Sequence, residues 1–157
     1  MNVNIRRVKE TDIPLIKKIS KETGWISIPK NQRKTLEREK WNKHMEGVFE
    51  RIFKKESSEI FVAQKANQTF LGYIFIGESI NMMTGTSHGF IYDIFVKEEY
   101  RGKGVGTALL EKAESYCRER DYPRVELMVS TDNQLALKLY TKMCFKAEQM
   151  FMKKELS

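Results

Sequence analysis

Hydrophobic and polar positions follow two different periods along the chain, and each period predicts one type of element. Residues 3–7 alternate between apolar and polar, which favours a first strand. Residues 11–24 open with Thr-Asp-Ile-Pro, a sequence typical of a helix start, and close on a glycine. Residues 31–55 carry apolar side chains at i, i+4, i+7 and i+8, which predicts a second, amphipathic helix.

The remaining pattern predicts mainly strands at first and crossover helices later. The further elements are strands over residues 59–65, 69–77 and 91–96, a helix that begins within residues 102–106, a strand over 125–129, a helix opened by 131–133 and a closing strand over 145–153. Residues 66–68 are a short hairpin, and residues 81–87 a polar, flexible connection. The order β-α-α-β-β-β-α-β-α-β indicates an α/β protein with a central mixed sheet flanked by helices.

Length and composition narrow the class of protein. A chain of 157 residues with 41% hydrophobic and 31% charged residues is expected to form one soluble domain over residues 1–157. The formal net charge of +7 is compatible with nucleic acid, an acidic protein surface or a phosphate-rich cofactor. The first nine residues are polar and unlike a signal peptide, and the longest apolar run, 70–76, is too short to cross a membrane.

The cysteines and histidines are few and carry no metal or disulfide pattern. Cys117 and Cys144 form no framework, which favours a reducing compartment and a cytoplasmic protein. His44 and His88 lack partner residues at metal-ligand spacing, so no metal site is expected.

The most informative stretch joins the strand at residues 91–96 to the following helix. Three glycines stand at alternate positions, Gly102, Gly104 and Gly106, and the helical spacing begins among them. Glycines at a helix start allow another group to approach the backbone closely. The first turn of a helix has free N–H groups and the positive end of the dipole, and basic side chains stand nearby. This pattern predicts an anion site for a phosphate or pyrophosphate.

The glycines could instead have a purely structural role and simply let the strand and the helix pack closely. Two well-known phosphate loops fit them poorly. The P-loop pattern fails because Gly102-Lys103 is followed by Gly104 and not by serine or threonine. The dinucleotide fingerprint is weak because Thr107 stands where its third glycine belongs.

Two motifs resemble those of the GNAT N-acetyltransferases. Arg101-x-x-Gly104-x-Gly106 after an apolar strand resembles the acetyl-CoA loop of that family. The sequence Asn-x-x-Ala-x-x-Leu-Tyr over residues 133–140, followed by Phe145, resembles its last motif, with Cys144 where glycine is usual. The order of elements also resembles the GNAT fold over the whole chain. The departure at Cys144 is expected to be small, because glycine helps at a helix C-terminus without being required.

The resemblance implies an enzyme that transfers an acetyl group from acetyl-CoA, without a metal, to a primary amine that attacks directly in a ternary complex. The residues it implies for CoA binding lie on the strand, the loop and the last helix: Ile94, Phe95, Val96, Arg101, Gly102, Lys103, Gly104, Val105, Gly106, Thr107, Asn133 and Tyr140. Loop N–H groups would hold the pyrophosphate, and strand backbone groups the pantetheine arm and the oxyanion. Asn133 would bind pantetheine, cap its helix, or do both.

The resemblance also implies catalytic residues, but the sequence matches the family's catalytic positions less well than its CoA-binding positions. Tyr140 is expected to protonate the leaving thiolate, although it could instead be a core aromatic residue. The family places a base glutamate at positions held here by Tyr92 or Met128. Asp93 and Glu126 remain candidates for the base, either directly or through water, and Asp93 could equally be a structural acceptor.

The sequence defines the amine that accepts the acetyl group less clearly than the acetyl donor. Trp25 and Ile28, together with Tyr92 beside the sheet, could line a substrate pocket, or Trp25 could be a core residue. The basic balance argues mildly against polyamines and leaves a peptide or protein amine, a small amine metabolite or an antibiotic. A homodimer is a further expectation.

A different class of function is the competing hypothesis: a CoA-binding regulator without activity, or a nucleic-acid-associated module. The absence of aromatic residues interleaved with the basic ones argues against nucleic acid.

Overall fold

A computed structural model describes residues 1–156 and shows one five-stranded sheet with helices on both faces. The elements are β1 (Asn4–Arg7), α1 (Ile13–Ser27), α2 (Lys30–Arg33), α3 (Arg38–Phe53), β2 (Glu59–Gln64), β3 (Phe70–Ile80), β4 (Ser87–Val96), α4 (Val105–Arg118), β5 (Val125–Leu127) and α5 (Gln134–Lys142). The strand order is β1-β2-β3-β4-β5, antiparallel throughout except that β4 and β5 are parallel. The predicted mixed sheet is therefore confirmed.

Side-chain alternation along the strands gives the sheet two hydrophobic faces. On one face, α4 packs through Leu109, Ala113 and Tyr116 against strand residues such as Ile74 and Ile91. The opposite face packs against α1 and α3. Its core residues, buried between those two helices and β2–β3, are Ile16, Phe49, Ile60, Val62, Tyr73 and Phe75. Each face of the sheet is covered by the apolar side of amphipathic helices, as expected for a sheet in the middle of the molecule.

Three predicted elements need correction. The first helix does not end at Gly24 but continues to Ser27, because Trp25 packs against Trp41 of α3 and keeps the last turn helical. The second helix is divided into α2 and α3, since residues 34–37 leave the helix. The connection predicted at residues 81–87 is shorter, because Ser87 already belongs to β4, and within it Gly85 donates its N–H to the Asn81 carbonyl.

The closing strand predicted over residues 145–153 is wrong in this structure. Residues 145–156 form neither helix nor strand, and Lys146 onward is solvent-exposed. The pattern of the segment suits a strand, but no neighbouring strand pairs with it within the described chain. The strand predicted at 125–129 is likewise shorter and ends at Leu127.

No helix among residues 1–156 is long and apolar enough to cross a membrane.

Candidate active site

A wedge-shaped opening separates β4 from β5 at the end of the sheet. The two strands pair only from Gly89–Val125 to Ile91–Leu127, whereas β4 continues to Val96 without a strand on that side. A bulge lies where they part, because the β3–β4 register passes from Phe75↔Asp93 to Ile76↔Ile91 and leaves one β4 residue unpaired. A bulge bends its strand and strengthens its twist. The bulge therefore turns the end of β4 away from β5.

Backbone groups of β4 point into this wedge. Lys97 donates its N–H to the Leu71 carbonyl at 2.9 Å, so its backbone faces β3. Successive residues of an antiparallel strand face opposite sides. The N–H and C=O groups of Ile94 and Val96 are therefore directed away from β3. The Val96 carbonyl is indeed reached by the Arg101 Nε at 3.1 Å. Of the predicted strand residues, Phe95 pairs its backbone with β3.

The glycine-rich loop closes the same end of the wedge. Gly102 and Gly104 have φ angles of 70° and 85°, a left-handed conformation that favours glycine. A Cβ atom at either position would meet nothing within 4 Å, so space is open beside the loop. Gly104 is the N-cap of α4 and provides no side chain to cap the helix. The first N–H groups of α4 are thus free to bind an anion.

Tyr140 is held by the end of α5. Phe145 donates its N–H to the Tyr140 carbonyl at 2.9 Å, and Cys144 donates to the Thr141 carbonyl at 3.0 Å. This pair of bonds is the Schellman arrangement, and the rings of Tyr140 and Phe145 supply its hydrophobic contact at 5.7 Å. The tyrosine is 8% exposed, and no described residue bonds to its hydroxyl. Burial, and then the charge of Asp93, raise the pKa of Tyr140, so its hydroxyl stays protonated at neutral pH.

Cys144 has a φ angle of 64° in this motif, which is where the expected glycine would stand. We expect Cys144→Gly to raise the free energy of unfolding by about 0.5–1 kcal/mol, because glycine adopts this conformation without strain. Urea unfolding at pH 7 measures the change. Cys144→Ala is the matched control, since it removes the thiol and keeps the strain. Equal stability of the glycine and alanine variants would show that backbone strain at residue 144 is not the cause.

Asp93 lies beside the bulge in a small, partly buried polar cluster. Its Oδ2 accepts a hydrogen bond from the Tyr73 hydroxyl at 2.5 Å, and Tyr73 is fully buried. Burial raises the pKa of Asp93, and the hydrogen bonds from Tyr73, Ser20 and the Ile94 N–H only partly offset that effect. Because Asp93 contributes to the raised pKa of Tyr140, the two groups are close enough to interact electrostatically. Asp93 bonds to Tyr73 on the α1–α3 face of the sheet, and Tyr140 packs on the α4 face.

Glu126 is engaged elsewhere. One carboxylate oxygen accepts a hydrogen bond from Arg124 Nε at 2.7 Å, and the other lies 3.1 Å from His88 Nε2. In the sheet it lies opposite Phe90, before the strands part. Glu126 therefore lies on the paired part of the sheet, apart from Asp93, which stands beyond the bulge.

Trp25 and Tyr92 do not form the predicted common pocket. Trp25 packs against Trp41 at 5.3 Å, near the start of α3. Tyr92 lies near Lys55, just beyond the end of α3, and packs against Phe75 at 5.6 Å. Since α3 has 16 residues, its two ends are about 24 Å apart. The two aromatic residues are therefore separated by the length of that helix.

Asn133 caps α5, because its Oδ1 accepts the Ala136 N–H at 3.1 Å. Of the two roles expected for this residue, the structure shows the capping role.

Tyr73 and Ser20 were missed from the sequence. Tyr73 stands in a run of apolar strand residues, and a buried tyrosine usually needs a partner for its hydroxyl. That need could have pointed to Asp93. Ser20 gives no comparable signal.

The comparisons with known proteins identify the family. Residues 25–145 match the model of the acetyltransferase (GNAT) family, which is more than half of the chain. The chain therefore belongs to the GNAT family, whose members transfer acetyl groups from acetyl-CoA.

Similar sequences cover only parts of this chain. An uncharacterised N-acetyltransferase of Methanocaldococcus jannaschii is 38% identical over 60 residues, which are 38% of this chain and 26% of that protein. Another, from Archaeoglobus fulgidus, is 42% identical over 52 residues, 33% of this chain and 35% of that protein. The matched stretches thus span about a quarter to a third of these relatives' lengths.

Similar structures cover nearly the whole chain. A Pyrococcus furiosus protein with a provisional acetyl transferase assignment superposes with a TM-score of 0.84 at 29% identity, over 99% of this chain and 100% of that one. The protein AAC(6′)-Iy, in complex with a bisubstrate analogue of CoA and acetylneamine, gives a TM-score of 0.72 at 16% identity over 100% of both chains. At that identity the second likeness concerns the fold alone.

Proposed function

We propose that the chain transfers the acetyl group of acetyl-CoA to a primary amine by direct attack in a ternary complex. The observation that carries the proposal is the common location of three features. The open glycine loop and the wedge lie at the C-terminal end of β4, Asp93 stands on that strand, and Tyr140 packs in one core cluster with Ile94 and Val96. Together they provide an anion site, backbone partners for an extended thioester arm, and groups for two proton transfers.

Different residues would bind different parts of acetyl-CoA. N–H groups of residues 102–107 would bind the pyrophosphate, helped by Arg101 and Lys103. The Ile94 carbonyl would accept from the pantetheine arm, and the Val96 N–H would donate to that arm or to the thioester oxygen. The open space beside Gly102 and Gly104 fits this assignment, because a ligand can approach the loop backbone there.

The proposed step requires two proton transfers. The amine nitrogen bonds to the carbonyl carbon and gives one proton to the Asp93 carboxylate. The carbon–sulfur bond breaks with its electron pair on sulfur, and the Tyr140 hydroxyl gives sulfur a proton. The products are an amide and the CoA thiol. Solvent then carries the proton of Asp93 back to the Tyr140 oxygen, which restores both groups.

The net charge of the chain disfavours one class of acceptor amine and leaves several others. The net charge of +7 argues against polyamines, which would favour an acidic protein. We therefore propose a peptide or protein amine, or a small amine metabolite. Because AAC(6′)-Iy holds an acetylneamine analogue, aminoglycosides belong among the acceptors to be tested.

A thiol-release assay with acetyl-CoA tests the proposal against a panel of amines: N-terminal and lysine peptides, small amine metabolites, polyamines and aminoglycosides. We expect one class to release thiol far above the rate without amine. Tight binding of acetyl-CoA with no release for any amine would instead favour a CoA-binding regulator.

Gly104→Ala tests the loop separately. We expect the Kd for acetyl-CoA to rise by about 10-fold or more, because an added Cβ strains the left-handed backbone and enters the space left for the ligand. Isothermal titration calorimetry measures the affinity. Gly85→Ala is the matched control, since Gly85 has a φ of 68° and open surroundings but lies in the β3–β4 turn. If both variants bind alike, the loop is not the pyrophosphate site.

A further inference from the structure

The last turns of α1 lie over the opening beside β4. The N-cap of this helix, Asp12, bonds to Arg6 of β1 at 2.7 Å, so α1 starts at the β1 edge of the sheet. Ser20, in the middle of α1, bonds to Asp93 of β4. Because the strands follow in the order β1 to β5, α1 continues for about 10 Å beyond Asp93, toward the side where β4 and β5 part. An amine that reaches Asp93 on this face of the sheet must pass the end of α1.

The segment that follows, residues 26–43, is strongly basic, and we call it the basic corner. It contains six lysine or arginine residues and two glutamates, so it carries +4 of the formal net charge of +7. Within the part of the chain that the structure describes, its single ion pair joins Lys40 to Glu37 at 2.7 Å. Positive charge concentrated at the entrance to a site attracts acidic ligands.

Two arginines of the basic corner have hydrogen-bond donors to spare. Arg38 lies 4.7 Å from the ring centroid of Trp25 and 5.7 Å from that of Trp41. Its Nε donates to Asn42, which leaves the two terminal nitrogens at the outer end of the fork. Arg33, at the end of α2, has a buried Nε without a hydrogen-bond partner among residues 1–156. A carboxylate would satisfy such donors, because the planar guanidinium binds it through two parallel hydrogen bonds.

The distance from Asp93 to the basic corner distinguishes a peptide from a small acidic amine. A free amino acid holds its carboxylates within one residue of its amine and cannot reach from Asp93 past the end of α1. An extended peptide advances about 3.3 Å per residue, so acidic side chains about three or four residues from the amine would reach the two arginines.

We infer that the acceptor is an acidic peptide, whose amine lies at Asp93 and whose carboxylates bind Arg33 and Arg38. The position of the amine rests on the proposed acetyl transfer, and the choice of an acidic peptide rests on the basic corner. The amine is an N-terminal α-amine or a lysine side chain, since both can have the same acidic neighbours. Nucleic acid fits less well, because Trp25 and Trp41 are packed against each other and against Arg38 instead of being presented to bases.

Calorimetry in the presence of CoA measures peptide binding, and the thiol-release assay measures transfer. The probes are three short amidated peptides with a free N-terminus, which differ only in carrying two glutamates, two glutamines or two arginines as their fourth and fifth residues. We expect the glutamate peptide to bind about 10-fold or more tightly than the glutamine peptide, and the arginine peptide to bind most weakly. A second set, with a blocked N-terminus and one lysine, distinguishes the two sources of the amine, and transfer to either one agrees with the inference.

Arg33→Gln and Arg38→Gln are each expected to reduce the preference for the glutamate peptide over the glutamine peptide by about 5-fold or more. Arg51→Gln is the matched control, because Arg51 is exposed in the last turn of α3, at the other end of that helix, and its variant should keep the full preference. Circular dichroism and the Kd for acetyl-CoA check that each variant is folded.

Equal binding of the glutamate and glutamine peptides would overturn the inference. So would a preference that survives in both Arg33→Gln and Arg38→Gln, or single-stranded DNA that binds more tightly than the glutamate peptide. Preferred binding of the glutamate peptide without thiol release from any peptide would support the acidic peptide site and would contradict the proposed acetyl transfer.

Discussion

Replacing Asp93 with asparagine is expected to lower kcat/KM for the amine by about 100-fold or more, because an amide cannot accept the proton of the attacking amine. Steady-state kinetics across pH provides the measurement. Burial raises the pKa of Asp93, so the activity of the unaltered chain should rise as pH increases through that pKa. In Asp93→Asn this acid limb should be absent.

Glu126→Gln separates the two candidate carboxylates. Its carboxylate is bonded to Arg124 and lies beside His88, away from Asp93, so we expect a change in kcat of less than about 3-fold. If Glu126→Gln were the more damaging variant, the base would have to be reassigned.

Stability gives a second readout on Asp93. Since its folded pKa lies above the ordinary value of 3.8, the ionised form destabilises the fold at pH above the folded pKa. Asp93→Asn should therefore unfold at a higher temperature at pH 7. The difference should shrink as pH falls through the folded pKa, where the acid of the unaltered chain becomes neutral. A purely structural Asp93 would predict a less stable variant.

Tyr140→Phe is expected to lower kcat by about 100-fold while changing the Kd for acetyl-CoA by less than about 2-fold. The variant keeps the buried ring and its contact with Phe145 and removes only the hydroxyl. Stopped assays measure kcat, and calorimetry measures the Kd for acetyl-CoA.

Tyr122→Phe is the control for the loss of a tyrosine hydroxyl. That group donates to Glu78 at 3.1 Å, outside the wedge, and its removal should leave kcat unchanged. Unchanged turnover in Tyr140→Phe as well would assign Tyr140 to the core alone.

The parts of the fold that could be predicted are those set by local pattern. The alternating apolar residues of β2 and β3 and the helical spacing after Gly104 are visible in the sequence because neighbouring residues decide them. Asn133 is recognisable as a capping residue for the same reason.

The missed parts depend on partners distant in the chain. Residues 145–153 have a strand-like pattern, but a strand exists only where another strand pairs with it. The bulge at Tyr92, and the pairing that places Asp93 diagonally across from Tyr73, depend on the register between β3 and β4. Trp25 and Tyr92 are separate because they lie near opposite ends of α3.

The central claim is that the diphosphate of acetyl-CoA binds at the glycine-rich loop. A crystal structure of the chain grown with CoA measures this directly. We predict diphosphate oxygens about 3 Å from backbone nitrogens of residues 102–107, with the thiol end in the wedge beside Ile94 and near Tyr140. A diphosphate bound at another surface, or no bound nucleotide at saturating concentration, would contradict the claim.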